Sequence, residues 1–356
     1  MTVTATATRS ALQYEEFYGF VQSPFTLAPD PRFLYPSPSH EEAIRFLLQS
    51  VQRREGVAVL SGDIGTGKTT VCRTVLEQLD MKLFTSLVLN PFLSVEELLR
   101  EILLDFGVVS REAVRSGRVT AASKHELVST LHEFLVSLVP IGASAVLVID
   151  EAQHLSSAVL EEIRVLSNLE TNQAKLLQIV LVGQLNLLDI LKQPEQRRLD
   201  QRISLRAVLR PLGRADLDAY VTHRLTVARG QAPVTFDAPA LDLVHKASGG
   251  VPRLINLVCD RALMLGAQSG ARTINSQMVT GAAASLGLEL SIVPKAWWRR
   301  LPRWASFGTA LLLLVSALVL FAPLHRLVNT GLPAVRPPAL GHSPQVQADI
   351  PTSPAL

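Results

Sequence analysis

The chain has 356 residues with 34 basic and 31 acidic side chains, a formal net charge of +3 at pH 7. This length accommodates two soluble domains plus further segments, and so small a net charge does not by itself indicate a nucleic-acid-binding protein. The two cysteines, Cys72 and Cys259, form no C-x-x-C pair, so the composition offers no cysteine metal site and we expect both thiols to be buried and reduced.

The chain begins with a short stretch, 1–13, that we expect to be disordered. It lacks the basic start and the apolar core of a secretory signal. Aromatic residues and prolines are frequent in the next stretch, 14–40. We expect this irregular segment to pack on the first domain.

A phosphate-binding motif follows the first predicted helix (41–54) and strand (57–60). Gly62-Asp63-Ile64-Gly65-Thr66-Gly67-Lys68-Thr69 fits G-x-x-x-x-G-K-[ST], and residues 70–79 predict a helix directly after it. Strand, glycine-rich loop and helix form the context that this motif needs. The alternative is a glycine-rich turn that binds nothing.

This loop predicts a nucleotide site. Backbone N–H groups of the loop and the N-terminus of the helix can surround a phosphate, and the predicted contacts extend to Thr70. We expect Lys68 to contact the β- and γ-phosphates and the Thr69 hydroxyl to hold Mg²⁺. The aromatic stretch before it is then either plain packing or a wall for the adenine base.

Alternating strands and helices continue after the motif and predict a doubly wound parallel sheet. The strands are predicted at 83–89, 145–149, 177–183 and 203–209. Helices are predicted from a Ser94/Glu97 capping box to about 106, from about 127 to 138, and at 156–169 and 186–201, with a polar loop at 107–122. From 214 to 288 the pattern is helical only, at 215–229, 237–247, 252–268 and 275–287.

Two carboxylates end the apolar strand Ala145-Val146-Leu147-Val148-Ile149. Ligands bind at the carboxyl ends of strands in open α/β sheets. Asp150 is predicted to hold Mg²⁺, and Glu151 to orient and deprotonate an attacking water. The alternative, an acidic strand end in solvent, is weakened by the phosphate loop upstream.

Further candidates follow the next strands. Gln184 can contact the γ-phosphate or the attacking water, or it is a turn residue. Arg202 is the first candidate and Arg198 the second for an arginine that stabilises phosphoryl charge from a neighbouring subunit, whereas Arg197 and both of these can also be plain surface residues. Arg253, in Gly249-Gly250-Val251-Pro252-Arg253 at a helix start, can reach the nucleotide or face solvent.

Residues 305–324 carry no charge and have the length of a membrane span. Three tryptophans and four basic residues precede them: Trp297, Trp298, Trp304, Lys295, Arg299, Arg300 and Arg303. Only Arg326 and Arg336 follow nearby, so the bulk of the chain is predicted to face the cytoplasm. The alternative is a buried core helix. The tail is proline-rich and predicted to be disordered.

The order of these motifs resembles AAA+ ATPases, and more closely those of the general secretion pathway protein A (ExeA) type. The resemblance covers about residues 14–288 and rests on Phe17-Tyr18-Gly19-Phe20, Pro29-Asp30-Pro31-Arg32-Phe33-Leu34-Tyr35, the phosphate loop, Leu166-Ser167-Asn168-Leu169-Glu170-Thr171, Leu177-Gln178-Ile179-Val180-Leu181-Val182-Gly183-Gln184 and Gly249-Gly250-Val251-Pro252-Arg253. It implies a Walker A motif at 62–69, a Walker B motif ending at Asp150 and Glu151, sensor 1 at Gln184 and sensor 2 at Arg253. It also implies nucleotide-coupled dimers or rings and a single membrane span.

The resemblance predicts six segments. They are a disordered start (1–13), an AAA+ core (14–212), a helical lid (213–290), a juxtamembrane segment (291–304), a transmembrane helix (305–324) and a disordered tail (325–356). Full-length relatives carry a periplasmic peptidoglycan-binding domain after the span, and the roughly thirty residues here are too few for a domain with its own core.

Our first hypothesis is a membrane-anchored ATPase that uses ATP and Mg²⁺ to assemble a secretion, pilus or exopolysaccharide-export system at the bacterial inner membrane. It predicts self-association and no nucleic-acid partner. The alternatives are a DNA-associated ATPase, similar to transposition accessory ATPases, and a slow nucleotide switch.

Overall fold

The computed structural model describes residues 13–79, 82–115, 122–171, 175–228 and 234–288. Within these ranges an α/β region is followed by a helical part, here residues 214–288. No helix in them is both long enough and apolar enough to cross a membrane. The predicted span at 305–324, its flank at 291–304, the tail at 325–356 and residues 1–12 lie outside the described residues.

Five strands form one parallel sheet. They are β1 (Val57–Gly62), β2 (Leu83–Val88), β3 (Ser144–Ile149), β4 (Leu177–Gly183) and β5 (Ile203–Leu209). Their order across the sheet is β2-β3-β4-β1-β5, and every adjacent pair is parallel. Every residue of β1 and β4 is buried, as expected for central strands covered on both faces.

Helices cover both faces of the sheet, which confirms the predicted doubly wound α/β architecture. The helices of the described ranges are α1 (Gln13–Tyr18), α2 (Pro38–Gln52), α3 (Lys68–Gln78), α4 (Val95–Asp105), α5 (Arg111–Arg115), α6 (Lys124–Leu138), α7 (Ser157–Leu166), α8 (Asn186–Leu191), α9 (Arg197–Asp200), α10 (Arg214–Val227), α11 (Ala238–Ser248), α12 (Pro252–Gln268) and α13 (Ser276–Ser285). Ala58 and Leu60 of β1 pack with α2 and α3, whereas Val57 and Val59 pack with α4, α6 and α7. Because successive side chains of a strand point to opposite faces, β1 contributes to two cores.

Local signals placed most helix starts correctly. At α4 the Ser94 hydroxyl accepts from the Glu97 N–H at 3.2 Å, and the Glu97 carboxylate accepts from the Ser94 N–H at 2.7 Å. This confirms the predicted capping box. The stretch 107–122, predicted as a loop, contains the short helix α5 in its described part.

The prediction of a single helix at 186–201 is wrong. The chain forms α8, a 3₁₀ turn (Pro194–Gln196) and then α9. Pro194 has no N–H to donate and its ring would clash with the preceding turn, so α8 ends before it. The break places Arg197 and Arg198 on a separate short helix.

The helical part is not purely helical, contrary to prediction. A two-residue strand, β6 (Thr235–Phe236), pairs in parallel with β7 (Thr273–Ile274). Strands of two residues are too short to show an alternating pattern in the sequence. Both cysteines are buried free thiols, as predicted.

The N-terminal segment, residues 13–35, packs in the core of the helical part. Its aromatic anchors therefore contradict the expectation that it packs on the first domain, although Leu34 near its end does pack against the core of α2 and α3. Tyr18, Phe25 and Phe33 are buried among side chains of α10 to α13. The Tyr18 hydroxyl donates to the carbonyl of Ala271 at 2.9 Å. Both faces of the sheet are already covered by its own helices, and these aromatic rings fill the helical core instead.

Arg224 of α10 holds this segment in place. Its Nε donates to the carbonyl of Pro24 at 2.6 Å and its Nη2 to that of Thr26 at 3.0 Å. The guanidinium carbon lies 4.7 Å from the centroid of the Phe33 ring, and only 6% of the residue is exposed. Backbone carbonyls and an aromatic face thus solvate a buried cation.

Gly249 and Gly250 join α11 to α12 and both adopt a left-handed conformation, with φ of 59° and 78°. A Cβ on Gly250 would lie 2.1 Å from the carbonyl oxygen of Leu212, whereas one on Gly249 would meet nothing within 4 Å. The Gly250 carbonyl also accepts from the Leu212 N–H at 2.8 Å. Gly250 is therefore where the chain leaving β5 contacts the helical part.

We predict that Gly250→Ala destabilises the protein more than Gly249→Ala. Both changes place a side chain in a left-handed conformation, at a cost of roughly 1–2 kcal/mol. Only Gly250→Ala adds the clash with Leu212, which we expect to cost about 2 kcal/mol more. Urea unfolding of the full chain, followed by circular dichroism, measures the difference. Equal midpoints for the two variants would contradict the proposed contact.

Candidate nucleotide site

The phosphate loop, residues 62–69, connects β1 to α3 at the carboxyl edge of the sheet. Gly65 has a φ of 81°, and a Cβ there would lie 2.6 Å from the Cβ of Arg253. The Thr66 hydroxyl donates to the carbonyl of Asp63 at 2.8 Å and closes the turn. The loop places backbone N–H groups at the start of a helix, an arrangement that suits an anionic phosphate.

Lys68, the first residue of α3, is 6% exposed. Its ammonium donates to the carbonyls of Gly62 and Asp63, each at 3.0 Å. Burial lowers the pKa of Lys68, and the nearby carboxylates of Glu151 and Asp150 oppose that shift. The amine is held inside the loop, where it can contact phosphate oxygens.

The Thr69 hydroxyl donates to Oδ2 of Asp150 at 2.6 Å. The contact joins the first turn of α3 to the residue after β3, as the predicted Mg²⁺ site requires. Within the described ranges there is no group of three or more His, Cys, Asp and Glu side chains that could hold a metal ion. A hydroxyl and one carboxylate fit Mg²⁺ that also takes phosphate oxygens and water, because Mg²⁺ prefers oxygen and keeps several waters.

Glu151 follows Asp150 and lines the same pocket as the phosphate loop. Its backbone is left-handed, with a φ of 52°. A non-glycine residue in this conformation costs roughly 1–2 kcal/mol, and such strain is concentrated at functional sites. The strained turn ends the strand and presents the carboxylate to the pocket.

Gln184 follows β4 and lines a small recess with Asp63 and Ile64 of the phosphate loop. Its backbone N–H donates to Oε1 of Gln153 at 3.0 Å. Sequence analysis did not select Gln153. Nothing in the local pattern marks it, since one of its partners, Gln184, follows a different strand.

Arg253 lies beside the phosphate loop. Its backbone N–H donates to the carbonyl of Gly65 at 3.1 Å, and the residue lines the same pocket as Lys68 and Glu151. Pro252 opens α12 at the first helical position, where its missing N–H costs nothing. The helical part is thus joined directly to the loop that would hold the phosphates.

The N-terminal segment and the helical part also line the pocket. Their lining residues include Thr26, Leu27, Ala28, Pro29, Asp30, Phe33, Leu34, Tyr35, Tyr220, Arg224 and Asn256. Tyr220 donates to Oδ1 of Asn256 at 2.7 Å, and Arg73 of α3 donates to the carbonyl of Pro29 at 3.0 Å. The segment therefore packs its aromatic rings in a core and also lines the pocket, and its role as a wall for an adenine base stays a prediction.

His40 of α2 is a second residue that sequence analysis missed. It is buried, with one ring nitrogen 2.6 Å from the Ser37 hydroxyl and the other 3.0 Å from the carbonyl of Thr66. Burial lowers the pKa of His40, and the hydrogen bond to Thr66 opposes that shift. The imidazole supports the phosphate loop through the Thr66 carbonyl, and His40 also lines the pocket.

The three candidate arginines before β5 are not among the residues that line this pocket. Arg197 and Arg198 are exposed on α9, and Arg202 is half-buried at the start of β5. The structure does not bring Arg202 to the site of its own chain.

The family model described as an AAA domain matches residues 51–191. The chain is 41% identical over 261 residues to general secretion pathway protein A from Aeromonas hydrophila. That match covers 73% of this chain and 46% of the relative, so the chain spans less than half the length of the curated relative.

Solved structures share the fold at low identity. Cdc6p from Pyrobaculum aerophilum has a TM-score of 0.58 at 19% identity, covering 75% of this chain and 71% of that chain. The ORC1 protein of Aeropyrum pernix in complex with DNA has a TM-score of 0.53 at 18% identity, and the match covers 74% of this chain and 69% of that chain. At such identities the similarity concerns the fold alone.

The arrangement of phosphate loop, strand-end carboxylates and helical part agrees with the family match and with the relative. The chain therefore belongs to the AAA+ ATPases, of the general secretion pathway protein A type.

Proposed function

We propose that this protein binds ATP with Mg²⁺ and hydrolyses it to ADP and phosphate. The observation that carries the proposal is that Lys68, Thr69 and Glu151 line one pocket, with Thr69 hydrogen-bonded to Asp150. Phe33, Tyr35 and Tyr220 also line that pocket and supply aromatic surface that suits a base.

Each side chain has a distinct role in the proposed reaction. Lys68 and the loop N–H groups hold the β- and γ-phosphates, while Thr69 and Asp150 would hold Mg²⁺, which neutralises phosphate charge. Glu151 accepts a proton from a water as that water attacks the γ-phosphorus. The bond from the γ-phosphorus to the bridging oxygen breaks, and that oxygen leaves with ADP. Arg253 and Gln184 are proposed to contact the γ-phosphate side.

The cellular role is proposed from the relative and the sequence. The similarity to general secretion pathway protein A supports a role for this chain in assembling a secretion or related export system at the bacterial inner membrane. The apolar stretch 305–324, with basic and tryptophan residues before it, would anchor the chain with the site on the cytoplasmic side.

A DNA-associated role is the second candidate. One structure with this fold is a complex with DNA, although the likeness extends to the fold alone. The formal net charge of +3 gives little electrostatic support for binding DNA. A slow nucleotide switch would use the same residues and would differ only in its rate of hydrolysis.

We predict that Glu151→Gln greatly slows hydrolysis and leaves ATP binding intact. Glutamine keeps the size of the side chain and cannot accept the proton, so kcat should fall by about a hundredfold or more. Phosphate release and equilibrium binding of a fluorescent ATP analogue measure the two properties. Glu161→Gln, in an exposed ion pair with Arg164, is the matched control and should hydrolyse ATP at the wild-type rate. Unchanged hydrolysis by Glu151→Gln would refute the proposed site.

We also predict that Arg202 acts on the site of a neighbouring subunit. Arg202→Ala should lower kcat by about a hundredfold or more, as expected for an arginine that stabilises phosphoryl charge. Neither it nor Glu151→Gln should be active alone, but a mixture should regain activity, because some interfaces then pair an intact Glu151 with an intact Arg202.

Two observations complete the test of Arg202. The specific activity of the wild type should rise with protein concentration. Arg197→Ala, on the exposed face of α9, is the control and should remain active. If Arg202→Ala were fully active while Arg198→Ala was not, the role would pass to Arg198.

A further inference from the structure

Gln153 connects the carboxylate of Glu151 to the end of a neighbouring strand. The residue is 7% exposed and lies in the 3₁₀ turn (Ala152–His154) that follows Glu151. Its Nε2 donates to Oε2 of Glu151 at 2.6 Å, and its Oε1 accepts from the Gln184 N–H at 3.0 Å. Both ends of one buried amide are therefore engaged.

The backbone determines which way this amide faces. A backbone N–H can only donate, so the group facing Gln184 must be the carbonyl oxygen of the Gln153 side chain. The NH₂ group is then directed at Glu151 and donates to its carboxylate, a hydrogen bond strengthened by the charge. Among side chains of the described ranges, Gln153 is the one that hydrogen-bonds the Glu151 carboxylate.

The strand leaves space for this contact at Gly183. A Cβ on Gly183 would lie 2.7 Å from Oε1 of Gln153 and 2.8 Å from Cδ2 of Leu187. Any larger residue would push the Gln153 amide away from β4. The close approach therefore depends on Gly183 and on Gln153 together.

Glu151 needs such a constraint because its backbone conformation is unfavourable. A left-handed non-glycine residue persists only where the surroundings determine its position. Gln153 supplies one fixed hydrogen bond to the carboxylate and takes its own orientation from β4. It is not itself among the residues lining the nucleotide pocket.

We propose that Gln153 is a positioning residue that sets the orientation of the Glu151 carboxylate from the end of β4. This inference rests on the proposed ATP hydrolysis. The Gln153 amide hydrogen-bonds to Glu151 and Gln184, and Gln153 does not line the nucleotide pocket, so its loss should slow the chemical step and spare nucleotide binding.

The test replaces Gln153 with methionine, which has a similar length and no amide. In the full chain, Gln153→Met should lower kcat by about tenfold or more, because a misplaced general base loses much of its effect. The dissociation constant for the ATP analogue should stay at the wild-type value. Gln153→Asn, which keeps the amide but is one methylene shorter, should likewise lower kcat and leave the dissociation constant unchanged.

Gln178→Met is the matched control. Gln178 is another buried glutamine, at the opposite end of β4, and it donates to the carbonyl of Lys175. Its replacement also removes a buried side-chain amide, here from within β4, and leaves the hydrogen bond to Glu151 in place. We expect wild-type kcat.

A double substitution separates positioning from a general structural effect. If Gln153 acts through Glu151, adding Gln153→Met to Glu151→Gln should not lower the single-turnover rate further. Three results would overturn the inference. The first is a wild-type kcat in Gln153→Met, and the second is a loss of ATP-analogue affinity in that variant as large as its loss of kcat. The third is a single-turnover rate of the double variant that falls below that of Glu151→Gln by the factor that Gln153→Met causes alone. A wild type without hydrolysis overturns the proposed function as well, whereas an active wild type with unaffected variants overturns this inference alone.

Discussion

The candidate site depends on the order of the parallel strands. β1 lies between β4 and β5, and β3 lies on the other side of β4. The register pairs Ser61 with Gly183 and Ile149 with Leu181, so the phosphate loop, Gln184 and the two carboxylates emerge at one edge within a few residues of each other. Because carboxyl ends of parallel strands meet at one edge, three remote stretches of sequence form one site. The Thr69–Asp150 hydrogen bond is the direct result.

The helical part completes the pocket through two kinds of contact. One is the backbone hydrogen bond from Arg253 to the phosphate loop, made possible by the bend at Gly250. The other is the N-terminal segment, which belongs to the helical core and reaches the pocket at Tyr35. Arg224 connects them, since it holds the segment by its backbone carbonyls from a helix of that core. A base bound here would contact the segment and the helical part together, while the phosphates contact the α/β region.

Features encoded within a few residues were predictable, and features that depend on the tertiary neighbourhood were not. The phosphate loop and the Ser94 capping box were predicted because their hydrogen bonds lie within one turn of chain. The prediction for the N-terminal segment failed for its aromatic anchors, because aromatic residues without periodicity do not indicate which core they enter. Gln153 carried no signal because its orientation comes from Gln184, thirty-one residues away in sequence. Pro194 was visible in the sequence, and the prediction of one helix through it gave too little weight to the lost hydrogen bond.

The same neighbourhood links Glu151 to the part of the chain that carries the candidate arginines. Gln184 follows β4 and lies two residues before the start of α8, which leads through the proline turn to α9, the helix that bears Arg197 and Arg198. In the described ranges the pocket holds the cations Lys68, Arg224 and Arg253, and Arg224 is already engaged by backbone carbonyls. Arg202 is not among the residues that line this pocket, and its proposed role is at the site of a neighbouring chain. Because Gln153 takes its orientation from the Gln184 N–H, a shift of the α8–α9 segment against a neighbour would also move the partner of Glu151. The geometry thus connects the surface that would supply an arginine with the carboxylate that would accept the proton.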